Sequence, residues 1–182
     1  MPFSLAAGQS ASLGVGFAPT TAGSVAGIVS VVSNATNSPA TISLSGAGIQ
    51  PQISVVPTSV SFSNVTVGLA GTQTVILSNP GSASLNVSQA TITGAGFALT
   101  GLNLPLTVAA GQSSAFTVKF TPTTSGSVAA TLSLVSNAPS SPTSIPMSGT
   151  GVAPVLNLSA SPTSLSFGNI TIAAVVPRKQ LR

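Results

Sequence analysis

Apolar and polar residues alternate strictly along Ser113–Thr124, SSAFTVKFTPTT, with Phe116, Val118 and Phe120 on one side and Thr117 and Lys119 on the other. A period of two is the mark of a β-strand with one buried face. The same pattern stands 103 residues earlier in Ser10–Thr21, SASLGVGFAPTT, where Leu13, Val15 and Phe17 take the alternate places. Each copy runs into a Pro-Thr-Thr turn, a Gly and a second alternating stretch.

Over residues 51–153 this alternation predicts about seven strands. Ile53–Val56 and Val60–Phe62 straddle Pro57, which suits an opening edge strand because proline brings no N–H to a ladder. Thr72–Leu77 stops before Asn79-Pro80-Gly81, a turn sequence. Ser84–Thr93 and the short Phe97–Thr100 follow. Ser113–Phe120 and Ala129–Val135 form the centre, and Thr143–Ser148 closes the set. Short strands between Gly and Pro turns predict an all-β fold, an antiparallel sandwich of immunoglobulin-like type. Alternate strand positions are core positions, so Phe62, Phe116 and Phe120 are expected inside it rather than as a ligand platform.

The chain repeats itself. Displaced by 103, residues 1–48 match 104–151 at 26 of 48 positions. Displaced by 105, Pro57–Thr66 (PTSVSFSNVT) matches Pro162–Thr171 (PTSLSFGNIT). The expected organisation is tandem repeats of about 103 residues, units that stack in a line. Residues 1–50 are the C-terminal half of one repeat, 51–153 a complete repeat, and 154–182 the N-terminal stub of a third. Neither end holds enough apolar side chains to offset the entropy of ordering it. The stub is expected to stay open, and the first half to be marginal for want of a facing sheet. The last ten residues, AAVVPRKQLR, leave the repeat pattern, as a shifted reading frame in a longer array would produce.

Composition narrows the chemistry. The chain has no Asp, Glu, His, Cys, Tyr or Trp, and 52 of its 182 residues are Ser or Thr. Ser and Thr compete for backbone hydrogen bonds inside helices, which again favours strands and turns. The pI near 12.0 suggests a nucleic-acid partner until the charges are placed. Arg178, Lys179 and Arg182 crowd the end, leaving Lys119 alone in the body. Phosphate binding needs several cations on one face, so no nucleic-acid partner is expected. Mean hydropathy is +0.60, yet no run of 18 apolar residues exists to cross a membrane as a helix. The Trp and Tyr girdles of a membrane barrel are missing as well, so no membrane insertion is expected. MPFSLAAGQS has neither the basic start nor the apolar segment of a signal peptide.

No catalytic, cofactor-binding or metal-binding residues are expected, and no cofactor. Acid–base catalysis draws on groups titrating near working pH, and only Lys119 remains, with Ser113 or Ser114 near it in sequence. It reads as a solvated charge on an outward face that discourages edge pairing. The usual side-chain ligands of zinc and calcium are absent, and Gly94-Ala95-Gly96 lacks the lysine of a phosphate loop. Five Asn-x-Ser/Thr triplets arise by chance in so hydroxyl-rich a chain. A nearly neutral body with few edge charges predicts ready aggregation of the isolated chain.

The ordered pattern PTSVSFSNVTVG, TQTVILSNPGSASLNVS, LPLTVAAGQSSAFTVKFTPTTSGSVAATLSLVSNA, SIPMSGTG resembles an ASPM–SPD-2–Hydin (ASH) repeat, of the kind called choice-of-anchor D in bacteria. The resemblance covers all but the last ten residues. It implies a seven-stranded immunoglobulin-like sandwich similar to major-sperm-protein and pilus-chaperone domains. Many bacterial members carry a cysteine pair before the central strand; here the second position is Ser114, so that brace is missing. What it implies about function is a non-enzymatic structural or interaction module, one link of a tandem array that spaces or displays other domains. The expected setting is an extracellular or cell-surface bacterial protein. Its partners are expected to be neighbouring repeats of the same chain and a protein or glycan met at an exposed strand edge or end loops. The alternatives are a carbohydrate- or protein-binding accessory domain of a larger enzyme, and a cytoskeletal or ciliary adaptor by analogy with eukaryotic relatives.

Overall fold

In a computed structural model, described over residues 3–169, the chain forms strands and turns without a helix. Residues 51–153 build a sandwich of two sheets, and residues 23–48 a separate hairpin. The hairpin consists of β1 (Gly23–Val31) and β2 (Ala40–Gly48). Then come β3 (Ser54–Val56), β4 (Val60–Thr66), β5 (Gly71–Ser78) and β6 (Leu85–Thr93). Two short strands follow, β7 (Phe97–Thr100) and β8 (Leu106–Val108). The last are β9 (Ser113–Phe120), β10 (Gly126–Ser136) and β11 (Thr143–Val152).

One sheet has the order β4-β11-β10-β6-β8 and the other β3-β5-β9-β7. Alternation does what a period of two requires. Val118 and Phe120 of β9 face Leu132 and Leu134 of β10 and Ile145 of β11 across a core from which all five are closed to solvent. Phe120 stacks on Phe97 with ring centroids 4.6 Å apart, and Phe62 joins from β4 at 5.6 Å. Three phenylalanines thus plug one end of the sandwich.

The structure amends or completes the sequence reading in four places. Nine strands, not seven, lie in residues 51–153. The two sequence segments flanking Pro57 prove to be separate strands in different sheets, and β8 was not foreseen. It is only three residues long and is held by β6, through pairs such as Leu85↔Val108, rather than by its own alternation. Second, the sandwich is antiparallel except where β4 runs parallel to β11. The chain crosses between sheets at Pro57, so β4 arrives beside β11 already pointing the same way. Third, β9 and β10 lie in opposite sheets and do not pair. Their connection, 121–125, spans the sandwich. Fourth, Ser10–Thr21 is not a strand. Its copy β9 is hydrogen-bonded by β5 on one side and β7 on the other, and residues 3–22 have no equivalent of either.

Registers also fix where the chain comes in and leaves. The Gln50 carbonyl accepts from the amides of Ser82 (3.0 Å) and Ala83 (3.2 Å), beside the end of the sandwich where Ser78 pairs with Ser113. Val152 accepts from the amide of Val67 (2.9 Å), at the end where Gly71 pairs with Phe120 and Gly68 donates to Pro122. The chain enters at one end and departs at the other. Beyond Val152, residues 154–169 form no strand, and Val155, Leu156 and Leu158 are exposed. The residues after Asn169, including the basic tail and its departure from the repeat, lie outside the described part.

Candidate functional site

Lys119 sits on the outward side of β9, opposite Thr72 on one flank and Ala98 on the other. It therefore guards no edge, because β9 is an interior strand. Ser113 and Ser114 stand at the far end of the same strand. Five or six residues at about 3.3 Å each put them about 17–20 Å away, and Ser114 also lies on the opposite face by alternation. No Ser–Lys pair is formed.

Phe62, Phe116 and Phe120 are buried in the core, so none offers a ring for a ligand to stack upon. Available surface is of two other kinds: strand edges and one apolar face. β3, β7 and β8 are edge strands of three or four residues, too short to template much pairing. The fourth edge, β4, runs seven residues and carries Ser61, Ser63 and Asn64 outward without a charge. On the sheet face beside it, Ser148 Oγ donates to Ser61 Oγ at 3.4 Å.

The apolar face belongs to residues 10–48, which are built locally like residues 113–151. β1 and β2 pair in the register of β10 and β11 displaced by 103, Gly23↔Gly48 answering Gly126↔Gly151. In the turns, Ser33 N donates to Ser38 Oγ at 2.8 Å and Ser136 N to Ser141 Oγ at 2.9 Å. Phe17 lies over Gly46 as Phe120 lies over Gly149. What differs is cover. Leu13, Val15, Phe17 and Ile42 are 67%, 55%, 53% and 52% exposed, whereas Phe116, Val118, Phe120 and Ile145 are 3%, 0%, 0% and 0% exposed. A groove of about 370 Å³ runs between the two layers, lined by Val15, Phe17, Val25, Leu44 and Gly46 among others.

Among the described residues one polar side chain, that of Asn79, is fully buried, and the sequence marks it only as part of a turn. Asn79 accepts at Oδ1 from the amides of Gln52 (3.1 Å) and Gly81 (3.0 Å). Its Nδ2 donates to the carbonyls of Ala83 (2.8 Å) and Val108 (3.0 Å). Its backbone amide donates to Gln112, and its carbonyl accepts from Gly111. Asn79 therefore binds the incoming linker, the β5–β6 turn, β8 and the loop before β9 together. The Asn-Pro-Gly sequence predicts the turn; convergence of the other segments depends on the fold.

Two facing sheets joined in this order place the protein in the immunoglobulin-like β-sandwich class. A family model described as "Abnormal spindle-like microcephaly-assoc'd, ASPM-SPD-2-Hydin" matches residues 48–143, more than half of the chain, and the chain belongs to this ASH family. The module itself continues past that span through β11 to Val152. Similar solved structures include a Porphyromonas gingivalis protein of unknown function, 16% identical, covering 72% of this chain and 67% of its own, at a TM-score of 0.49. The human CEP192 ASH/PapD-like domain 7 is 11% identical, covers 58% and 89%, and has a TM-score of 0.40. The Caenorhabditis elegans major-sperm-protein family member WR4 is 11% identical, covers 55% and 97%, and has a TM-score of 0.36. No curated protein sequence gave a significant match.

Proposed function

We propose that the chain is a non-catalytic structural and interaction module, one link of a tandem array of immunoglobulin-like repeats that spaces or displays other domains of an exported or cell-surface bacterial protein. The carrying observation is the position of the two ends. The linker comes in at Gln50–Gln52, tied to Ser82, Ala83 and Asn79, and the chain leaves at Val152 at the opposite end. Repeats joined in this way extend a line instead of folding back on one another. A surface of hydroxyls with almost no ions supports a passive spacer. Its partners are the neighbouring repeats and a protein that adds a strand along β4, the longest of the sandwich's edge strands.

Small-angle scattering of chains carrying two, three and four complete repeats tests the spacer role. The expected maximum dimension grows by a constant step per repeat; a compact particle of nearly constant dimension overturns it. Antibody labelling of intact cells carrying the full-length protein tests its surface location.

A further inference from the structure

We infer that the sandwich bears tension: pulled end to end, it is held shut by the parallel β4–β11 pair, whose backbone bonds are loaded together in shear. The inference rests on the spacer role only for the direction of the pull. The chain enters the sandwich at Gln50 and leaves it at Val152, at opposite ends, so a load along the array passes through these two residues. β4 and β11 both run from the entry end to the exit end. β4 is drawn by its first residue, Val60, toward the entry, and β11 by its last, Val152, toward the exit. The two strands are therefore pulled past each other along their own axes.

Six residue pairs lie in that path, from Met147↔Val60 to Val152↔Thr66. The Val67 amide extends the ladder by donating to the Val152 carbonyl at 2.9 Å. The evenly spaced bonds of a parallel pair share a load applied along the strands, whereas a pull that opens the ladder from one end breaks them singly. Ahead of β4 the path is weaker. Gln50 N donates to Ser82 Oγ (3.2 Å) and Gln52 N to Asn79 Oδ1 (3.1 Å), and β3 meets β5 in three pairs. Behind it the path is stronger, since β11 is joined to β10 by nine pairs. Once the linker and β3 have straightened, the β4–β11 pair carries the load.

Side chains keep the two strands from slipping. Phe62 is buried, its ring 5.6 Å from that of Phe120 and 6.0 Å from that of Phe97, and Val60 is buried as well. A slip of one residue would turn both to solvent, and a slip of two would draw Phe62 out of the phenylalanine cluster. The register also shifts between Gly149 and Thr150, leaving Ser63 unpaired. A bulge of this kind matches its partner strand at one position only.

Single-molecule pulling of the full chain in two directions tests this, with handles on introduced cysteines, since the chain has none of its own. Gln50→Cys with Ala153→Cys loads the sandwich end to end. Gln50→Cys with Ser140→Cys loads it from one end, because Gln50 and Ser140 line the same depression at the entry. Forced unfolding reads the barrier to unfolding, so the two pairs differ in force even where their urea midpoints agree. At one loading rate the end-to-end rupture force is expected to be at least twofold the other. Val67→Pro removes the bond at the exit end. It is expected to lower the end-to-end force and leave the other unchanged, because opening from the entry reaches that bond last. Equal forces in the two directions overturn the inference; so does an end-to-end force that Val67→Pro does not lower. Neither result touches the spacer role, whose scattering step depends on the length of each repeat and not on its strength.

Discussion

Gly149 lies against the ring of Phe120 so closely that a Cβ built on it would stand 2.5 Å from the ring's Cε1. Phe120 is fully buried and stacked on Phe97, so the ring has no room to withdraw. Overpacking a filled core costs about 1–3 kcal/mol, and Gly149→Ala is expected to lower the urea midpoint accordingly, with an unchanged slope. Gly46→Ala makes the equivalent change under the half-exposed Phe17, which is free to swing aside. Its midpoint should equal that of the parent.

Truncating the rings should separate the two halves of the chain in the same way. Phe120→Ala removes a buried aromatic from the core, at about 3–5 kcal/mol. Phe17→Ala acts at an exposed position and should stay within about 0.5 kcal/mol. Urea denaturation of both variants, followed by near-ultraviolet signal, checks the contrast; equal losses would mean that residues 10–48 are packed like the sandwich.

Asn79→Ala leaves the amides of Gln52 and Gly81 and the carbonyls of Ala83 and Val108 without their partner. Stranding buried polar groups costs about 1–3 kcal/mol. Amide exchange should quicken at Gln52 and Gly81 before it does so in the central strands. Asn79→Asp is not expected to rescue: a carboxylate accepts but cannot donate to the two carbonyls, and it buries a charge.

Stability should be flat with pH. Acid unfolding comes mainly from carboxylates and histidines whose protonation differs between folded and unfolded chains, and this chain has no Asp, Glu or His. Thermal midpoints between about pH 4.5 and 7 are expected to coincide, because no side chain of the types that titrate in that range is present. A sloping profile would contradict this.

How much of this was legible in advance follows from the range over which each feature is encoded. The core phenylalanines could be named because Phe116, Val118 and Phe120 alternate with polar neighbours two residues away. β8 could not, since three residues carry too little pattern and its place depends on Leu85–Val87, about twenty positions earlier. The turn at Asn79 was written in Asn-Pro-Gly, whereas its burial needs Gln52 and Val108, brought from opposite directions along the chain. Lys119 was correctly placed on an outward face, and its flanking strands were not visible.

The sequence by itself determined the β class, the repeat length, the inward residues of most strands and the absence of carboxylate and imidazole chemistry, because composition and period-two alternation are properties of neighbouring residues. Tertiary structure decided which strands paired. Leu13-Val15-Phe17 and Phe116-Val118-Phe120 share one pattern, yet only the second is a strand, because a strand's backbone groups need at least one hydrogen-bonding neighbour and β5 and β7 supply two. For the same reason the parallel β4–β11 pair and the opposite placement of the two ends emerged only from the registers.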